Sequence, residues 1–481
     1  MNRKDLFSAF FWRESPHGQL KVFELSTLTY GTASASFLAI RTVRRLAEDE
    51  ADSFPVGSEI VLRDFYVDDL LTGASTLQEA LEINEQANAL LSKEGFELRK
   101  WSSNHPSLRD AEGPHSKEFN LTENRINETK ALGISWNCEA DIFRFDNLGL
   151  HPSLQRLTKR VVLSRIALIF DPLGWLWPSI VIACILMQEI WRSKVNWDES
   201  LPNELHTRWK HYESKLQILS SIEVPRKVIA FSDVRRIEIH GFSDASQHAY
   251  GACVYIRTTS NERHIRSHLL CSKSRVAPLK TLSIPRLELC GALMLAQLVE
   301  KVLKSLPFAP DSIYYWTDSY IVLCWLRSCS RQWTPFVANR IAEIQRFTSV
   351  KNWRHVPGSQ NPAYSLSRGV MPDLLHKLKI WWNGPPWLSL DEHEWPIRDF
   401  DVPDVELPEL RSVTLAAEVK AERWDLFEQF SKLHRLIRVT AFCLRFIQNC
   451  KIKKASRSRV DNIESVQSLS VNKLEEAKNV S

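Results

Sequence analysis

An alternation of strand and helix patterns between residues 237 and 369 limits the folds open to this chain more than any other feature. "RRIEIHGFSDASQHAYGACVYIR" predicts two strands joined by a tight turn, with Asp244 at the end of the first. "SIPRLELCGALMLAQLVEKVLKSL" predicts a long helix that begins with a proline and carries Glu288 on an apolar face. "SIYYWTDSYIVLCWL" predicts a strand that ends at Asp318 and runs directly into a helix. These three acids can therefore converge at one edge of an α/β sheet.

Three converging carboxylates repel one another unless cations are present. Two divalent metal ions about 3.5–4 Å apart solve this problem in sites that cleave phosphodiesters. Each acid also has a simpler interpretation: Asp244 caps a turn, Asp318 is a helix N-cap, and Glu288 favours a helix N-terminus electrostatically. Taken together, in the order strand, strand, strand, helix, strand, helix, the acids favour the metal site. This order is that of a ribonuclease H-like fold.

A second acidic feature, "FYVDDLL", places Asp68 and Asp69 side by side in an apolar run. Neighbouring side chains on a strand point to opposite faces, so a strand would separate the two carboxylates. A sharp turn between two strands directs both into one cleft, where a cation would compensate their charge. The alternative is an exposed acidic hairpin tip.

Length and composition bound the remaining possibilities. The 481 residues predict two to four domains, and the net charge of +5 permits a polyanionic partner without indicating one. Nine scattered cysteines without a CxxC pair favour a reduced intracellular chain, in the cytoplasm or nucleus, without structural zinc. The apolar run Trp175–Met187 is shorter than the roughly 20 residues of a spanning helix, so we expect a buried helix and no membrane partner.

The motifs resemble an internal piece of the polyprotein of a BEL/Pao-type long-terminal-repeat retrotransposon. "TYGTASASFLAIR", "FYVDDLLTG", "GFELRKWSSN" and "KALGISW" are similar to the C-terminal palm of a reverse transcriptase. "LSRIALIFDPLGWLWP" and "WRSKVNWDESLP" resemble the connector of the family, and "WWNGPPWL" resembles the stretch that leads toward integrase. "FSDAS", "PRLELCGA", "YYWTDS", "WTPFVANR" and "WRHVPGSQNPAYSLSRG" resemble its ribonuclease H domain. The motifs follow the family's order over nearly the whole chain.

The resemblance and the residue patterns together predict an α/β chain of five parts. In the first part, helices alternate with the short strands "FELRKW", "KALGISW" and "IFRFD". A continuous helix is predicted from Glu422 to Cys450, with the basic "KIKKASRSR" after it. The parts are an α+β palm remnant (1–150), a helical connector (151–230), a ribonuclease H-like α/β domain with a mixed sheet (231–370), a Pro-rich linker or extended arm (371–410), and a helical pre-integrase segment with a basic tail (411–481).

The resemblance also implies two departures from the family's catalytic sites. Asp68 and Asp69 would be metal ligands of a polymerase, but the further Asp of that site lies ahead of "LFSAFFWR", so we expect no DNA polymerisation by this chain alone. The ribonuclease pattern Asn-Pro-Ala-Asp has Tyr364 in its last position. A phenol is neutral near pH 7 and is a poor ligand for magnesium, so we expect a weakened site.

The activity implied is metal-dependent hydrolysis of the RNA strand of an RNA/DNA hybrid. Asp244 and Asp318 would share Mg²⁺ or Mn²⁺ ions, and Glu288 would orient a water molecule. His355 is similar to the family's flexible histidine, although a strand histidine that faces solvent is the alternative. The hybrid would be held mainly through its phosphates and sugar hydroxyls. The candidate contacts, each of which could equally be a solvated surface charge, are Lys273, Arg275, Lys280, Arg286 and Arg340.

Two other interpretations remain open at this point. The chain could bind RNA/DNA hybrid or another nucleic acid without catalysis, using the surviving folds and the basic C-terminal helix. It could also be a decayed remnant of a mobile element, because an Asp to Tyr change can arise from a single base. The ability to bind hybrid at all separates the two.

Overall fold

The computed structural model of the chain describes residues 9–24, 32–109, 128–131, 134–145, 156–396, 407–411, 430–455 and 469–480. These residues belong to two compact units, Met1–Arg411 and Ser412–Ser481. The first unit contains an N-terminal helical part, connector helices, and a five-stranded mixed sheet with helices against it. This combination of helices and a mixed sheet confirms the predicted α/β class.

The N-terminal part packs helices around a small apolar core. Thr76 and Glu79 form a capping box at the start of one helix, and Gly95 follows its end with a φ of 76°, so local signals mark both ends of this helix. The strand predicted at "FELRKW" is wrong, because residues 96–101 pair with no strand of the described chain. The elements are β1 (Ala9–Trp12), β2 (Lys21–Glu24), α1 (Ala35–Asp49), α2 (Pro55–Asp64), β3 (Phe65–Tyr66), β4 (Asp69–Leu70), α3 (Leu77–Ser92) and α4 (Pro106–Arg109).

A four-stranded antiparallel sheet contains the other two predicted strands. Its strands, in spatial order, are β5 (Glu128–Ala131), β6 (Ile134–Asn137), β7 (Ile142–Arg144) and β8 (Glu223–Pro225). "IFRFD" is β7, whereas "KALGISW" contributes to two strands because the chain reverses between Ala131 and Ile134. Since β8 follows the connector helices, this sheet joins the connector to the N-terminal part.

The connector consists of α5 (Lys159–Leu168), α6 (Trp177–Arg192) and α7 (Asn203–Glu213), as the helical periodicity predicts. α6 holds the apolar run of the sequence and buries Ile180, Val181, Leu186 and Ile190. At about 1.5 Å per residue it is shorter than the roughly 30 Å apolar core of a bilayer. No helix in the described residues has the length and apolar character needed to cross a membrane.

The central sheet has the strand order β11-β10-β9-β12-β13. Its three long strands run antiparallel, and β12 and β13 run parallel to β9. The predicted order of strand, strand, strand, helix, strand, helix is thereby confirmed. The elements are β9 (Val234–Ala245), β10 (Ala249–Ser260), β11 (Ile265–Val276), α8 (Ile284–Ser305), β12 (Ser312–Thr317), α9 (Tyr320–Arg327), α10 (Pro335–Phe347), β13 (Trp353–His355) and α11 (Tyr364–Arg368).

Each face of the sheet has its own apolar core. On one face α8, α9 and α10 pack against alternate residues of the strands, such as Ile239 and Val254. On the other face Phe242, Tyr255 and Trp316 pack in the same core as the connector helices. Alternation along the strands assigns successive residues to opposite faces, which explains how both cores form on one sheet.

The connector also covers the edge strand β11. The Ser272 N–H donates to the Leu173 carbonyl at 2.8 Å, and the Trp175 indole N–H donates to the Leu270 carbonyl at 3.0 Å. Gly174, at φ 78°, lies so close that a Cβ there would be 2.1 Å from the Ser272 carbonyl oxygen. Capping an exposed edge in this way removes a row of free backbone groups.

Residues 371–396 form part of this packed unit. The prediction of a linker or extended arm is therefore wrong for these residues. They contain α12 (Pro372–Leu375), α13 (Lys379–Asn383) and two short 3₁₀ turns. Trp381, Trp387 and Trp395 are buried in the core that contains Trp316. Pro372 and Pro386, two of the prolines that suggested a linker, instead begin short helices, where the missing N–H costs nothing.

The second unit consists of α14 (Leu433–Ala455) and α15 (Val471–Val480). Leu436 and Ala441 of α14 and Ala477 of α15 are buried. The helix predicted from Glu422 to Cys450 is found from Leu433 onward, and it continues into the start of the basic segment. The earlier part of that prediction, up to residue 429, lies outside the described residues.

Candidate active site

Asp244 lies near the carboxyl end of β9, paired across the sheet with Gly251 of β10. Only 5% of its surface is exposed. The adjacent strand β12 is parallel and aligns Thr317 with Ser243, so Asp318 follows at the level of Asp244. Neighbouring strands are about 4.8 Å apart, which brings the two carboxylates close together.

Glu288 joins this edge from the first turns of α8. The hydroxyl of Ser319, the residue after Asp318, donates to the Glu288 carboxylate at 2.5 Å. α8 can approach this closely because Gly291 has no side chain: a Cβ there would lie 3.2 Å from the Asp244 carbonyl oxygen. The structure therefore brings Asp244, Glu288 and Asp318 to one place, as the sequence predicts.

The pKa values of all three carboxyls are raised. Burial raises the pKa of Asp244 to about 7, the neighbouring charge of Asp318 adds to this, and the hydrogen bond from Ser367 opposes it. Burial also raises the pKa of Asp318. The pKa of Glu288 rises mainly through burial and further through the charge of Asp318, against the hydrogen bond from Ser319. The charged forms of these carboxyls are thus disfavoured, and a bound cation would stabilise them.

The oxygen atoms here fit a hard divalent cation in part. Asp318 Oδ1 is buried and has no hydrogen-bond partner in the described part of the chain. Buried carboxylate oxygens without partners are uncommon and suit Mg²⁺ or Mn²⁺. Within the described residues, however, no group of three or more His, Cys, Asp or Glu is arranged to hold a metal ion.

Tyr364 begins α11, the helix in which the resemblance expects a fourth acid. About 48% of its surface is exposed, and the Arg368 guanidinium lies 4.5 Å from the centre of its ring. The helix itself is held at the site, since the Asn361 side-chain amide donates to the Ser243 carbonyl at 2.9 Å. Position 364 therefore supplies no carboxylate, although its helix is in place.

His355 ends β13 and is aligned with Thr317 of β12. It is half-buried, its ring centre lies 4.3 Å from that of Tyr320, and its charge lowers the pKa of Asp318. His355 thus lies at the same edge of the sheet as the acids.

Asp68 and Asp69 are at the tip of the β3-β4 hairpin. Tyr66 pairs with Asp69, and Val67 has a φ of 58°, so the predicted sharp turn is confirmed. Both aspartates are exposed. This exposure agrees with the alternative interpretation, an exposed acidic hairpin tip. In the described residues no metal-binding group includes this pair.

The five basic candidates have different surroundings. Lys273 and Arg275 lie on β11, where burial, Arg275 and Lys301 lower the pKa of Lys273. Arg286 is already paired, because its guanidinium donates to both carboxylate oxygens of Glu409 at 2.7 and 2.8 Å. Two further candidates complete the set: Lys280 is exposed, and Arg340 has its guanidinium 3.6 Å from the centre of the Phe336 ring.

Sequence reasoning did not single out Ser319 or Ser367, whose hydroxyls donate to Glu288 and Asp244. Ser319 could have been found, since it directly follows Asp318 in "YYWTDS". No local signal marks Ser367, because its partner is 123 residues away.

Comparison with protein families finds a match to the middle of the chain. The family model described as the Pao retrotransposon-like RNaseH-like domain matches residues 158–319. This segment, about a third of the chain, is similar to the RNaseH-like domain of Pao retrotransposons. The matched segment includes Asp244, Glu288 and Asp318 as well as the connector helices, and it crosses residue 230, where the sequence predicts a domain boundary. The recognition as retroelement pol sequence is thereby confirmed.

Solved structures of several proteins are also similar to the chain. The foamy viral protease-reverse transcriptase dRH in complex with double-stranded DNA is 14% identical, with a TM-score of 0.43, and the match covers 73% of this chain and 52% of that one. This chain therefore spans about half the length of that protein. The N-terminal RNase H domain of a Mycobacterium tuberculosis protein is 14% identical, with a TM-score of 0.20, over 29% of this chain and 96% of that one.

LC11-RNase H1, solved in complex with an RNA/DNA hybrid, is 14% identical, with a TM-score of 0.21, over 29% of this chain and 99% of its own. No curated protein matches the chain.

Proposed function

We propose that the chain is a metal-dependent ribonuclease of RNA/DNA hybrids, weakened by Tyr364. The observation that carries this proposal is the meeting of Asp244, Glu288 and Asp318 at one sheet edge, with all three pKa values raised. Such perturbed carboxyls, gathered in an RNaseH-like domain, are typical of a catalytic site rather than of a structural one.

Asp244 and Asp318 would hold a Mg²⁺ or Mn²⁺ ion. A bound divalent cation would supply charge to stabilise the phosphate that is cleaved. Asp318 Oδ1, which is buried without a partner in the described chain, is the oxygen most in need of that cation. Glu288, held by Ser319, would orient a water molecule, and His355 would assist proton transfer or product release at the same edge.

The basic residues on β11 are the better candidates for holding the hybrid. Lys273 and Arg275 lie two strands from Asp244, or about 10 Å at the usual strand spacing. Neither forms an ion pair within the described residues, and their mutual repulsion would be relieved by a phosphate. Lys280 is a further exposed cation, whereas Arg286 and Arg340 are already engaged by Glu409 and Phe336.

The N-terminal part is proposed to be a reverse transcriptase palm that does not polymerise DNA by itself. Asp68 and Asp69 occupy an exposed hairpin, and within the described residues they belong to no group of three His, Cys, Asp or Glu that could hold a metal ion. Two-metal polymerase chemistry needs more ligands than this pair.

Cleavage of a labelled RNA/DNA hybrid, first in Mg²⁺ and then in Mn²⁺, tests the ribonuclease. The natural chain is compared with Tyr364→Asp and with Asp244→Asn. We expect slow cleavage by the natural chain, faster cleavage by Tyr364→Asp, and none by Asp244→Asn. Cleavage that survives in Asp244→Asn would assign the activity to another site or to a contaminant.

Tyr364 favours a second candidate, a nucleic-acid-binding protein without catalysis. In that case neither the natural chain nor Tyr364→Asp would cut, but both would bind hybrid. A chain that neither cuts nor binds would instead be a decayed remnant of a mobile element.

A further inference from the structure

Ser367 is fully buried on α11, directly beside the candidate site. Its hydroxyl donates to Asp244 Oδ2. Its backbone carbonyl in turn accepts a hydrogen bond from the Ser246 hydroxyl at 2.6 Å, in the turn that follows Asp244. The side chain of Ser367 thus holds the Asp244 carboxylate, and its backbone carbonyl holds the turn next to that carboxylate.

The position of Ser367 is fixed by contacts that do not involve the side chain of Tyr364. The Ser274 hydroxyl donates to the Leu366 carbonyl at 2.8 Å, which ties α11 to β11. Leu366 also packs so closely over β10 that a Cβ on Gly251 would lie 2.5 Å from its Cβ. α11 is therefore held against the sheet whether or not position 364 carries an acid.

We propose that Ser367 is a positioning residue that holds the Asp244 carboxylate in the orientation needed to bind a cation. This inference rests on the proposed function and deepens it. Tyr364 brings no acid to α11, so this helix acts on Asp244 through the Ser367 hydroxyl. With Oδ2 held by the hydroxyl, the carboxylate group cannot rotate freely, and its orientation toward Asp318 is set before a cation arrives.

A purely structural role for the hydroxyl is the competing explanation. The Ser367 hydroxyl also lies 3.1 Å from the Tyr364 carbonyl, a contact that serines commonly make within their own helix. A hydroxyl that served only α11 would leave cation binding unchanged when removed. Removal of a hydroxyl that orients a metal ligand would weaken cation binding, because loss of such a partner typically lowers metal affinity about 10- to 100-fold.

Binding of Mn²⁺ to the full chain, followed by the electron paramagnetic resonance signal of the free ion, separates these two roles. We expect Ser367→Ala to bind Mn²⁺ about 10- to 100-fold more weakly than the natural chain. Ser367→Thr, which keeps the hydroxyl, should recover most of the affinity. Ser365→Ala is the matched control, since Ser365 is also buried on α11 but donates to none of the three carboxylates within the described residues. Equal affinities of Ser367→Ala and the natural chain, with both folded by circular dichroism, would overturn the proposal.

A second measurement keeps the inference testable if the natural chain binds no Mn²⁺, a result that would overturn the proposed function. Chains labelled with ¹³C at the aspartate side-chain carboxyl give a signal for Asp244, identified by its loss in Asp244→Asn. We expect this signal to move in Ser367→Ala and to stay in place in Ser365→Ala. An unchanged signal in Ser367→Ala would show that the hydroxyl does not hold the carboxylate.

Discussion

Replacing Asp244 by asparagine should stabilise the metal-free protein, although it removes a residue of the candidate site. Asp244 is almost completely buried beside Asp318, and these two effects on its pKa outweigh the opposing charge of Arg368. Asparagine has nearly the same shape and still accepts the hydrogen bond from Ser367. The variant therefore keeps the packing and loses the repulsion.

The pKa of Asp244 sets the size of this effect. It is raised from 3.8 to about 7 in the folded chain, with burial as the main cause. A shift of one pKa unit corresponds to about 1.36 kcal/mol, so a charged Asp244 costs the fold up to about 4 kcal/mol. Because the folded pKa is above the unfolded one, the natural chain is free of this cost below about 3.8, bears a growing part of it as the pH rises from 3.8 to about 7, and bears all of it at higher pH.

Denaturant unfolding in EDTA, at a series of pH values, measures the prediction. Tryptophan fluorescence follows the first unit, because Trp316, Trp381 and Trp387 are buried in it. At about pH 8 we expect Asp244→Asn to be more stable than the natural chain by up to about 4 kcal/mol, with a difference that shrinks toward pH 4. Exposed Asp52→Asn is the control and should change stability by no more than about 0.5 kcal/mol. A variant less stable than the natural chain at the higher pH would refute the reasoning.

Two other predictions concern packing and binding. Gly251→Ala should destabilise the first unit by about 1–3 kcal/mol, because the added Cβ would meet Leu366. The control Gly73→Ala, with nothing within 4 Å of its Cβ, should leave the stability unchanged. Equal melting temperatures of the two variants would contradict this prediction. Lys273→Ala and Arg275→Ala should each weaken hybrid binding and reduce its salt slope by about one, as measured by fluorescence anisotropy over a range of KCl concentrations. Arg286→Ala should leave the slope unchanged because Glu409 already holds the guanidinium, and a reduced slope would show that a phosphate replaces Glu409 there.

The sequence determines the placement of the three clustered acids to a large extent. Asp244 and Asp318 each come at a strand end, and Glu288 comes just after a helix-starting proline, so local patterns place all three. Periodicity also separates the strands of the sheet from α8 and the connector helices. These signals are local because hydrogen bonding within a helix, turn chemistry and side-chain alternation act over a few residues.

Tertiary structure decides whatever depends on a partner far along the chain. "FELRKW" has the composition of a strand, yet no described strand pairs with it, and β structure needs a partner. The prolines of residues 371–396 suggest a linker, but three tryptophans there find an apolar core built by distant elements. In the sequence Arg286 has the features of a phosphate ligand, but in the structure it is paired with Glu409, 123 residues later. Ser367 likewise gains a role only when folding brings α11 to the end of β9, since a hydrogen bond between distant residues leaves no periodic trace in the sequence.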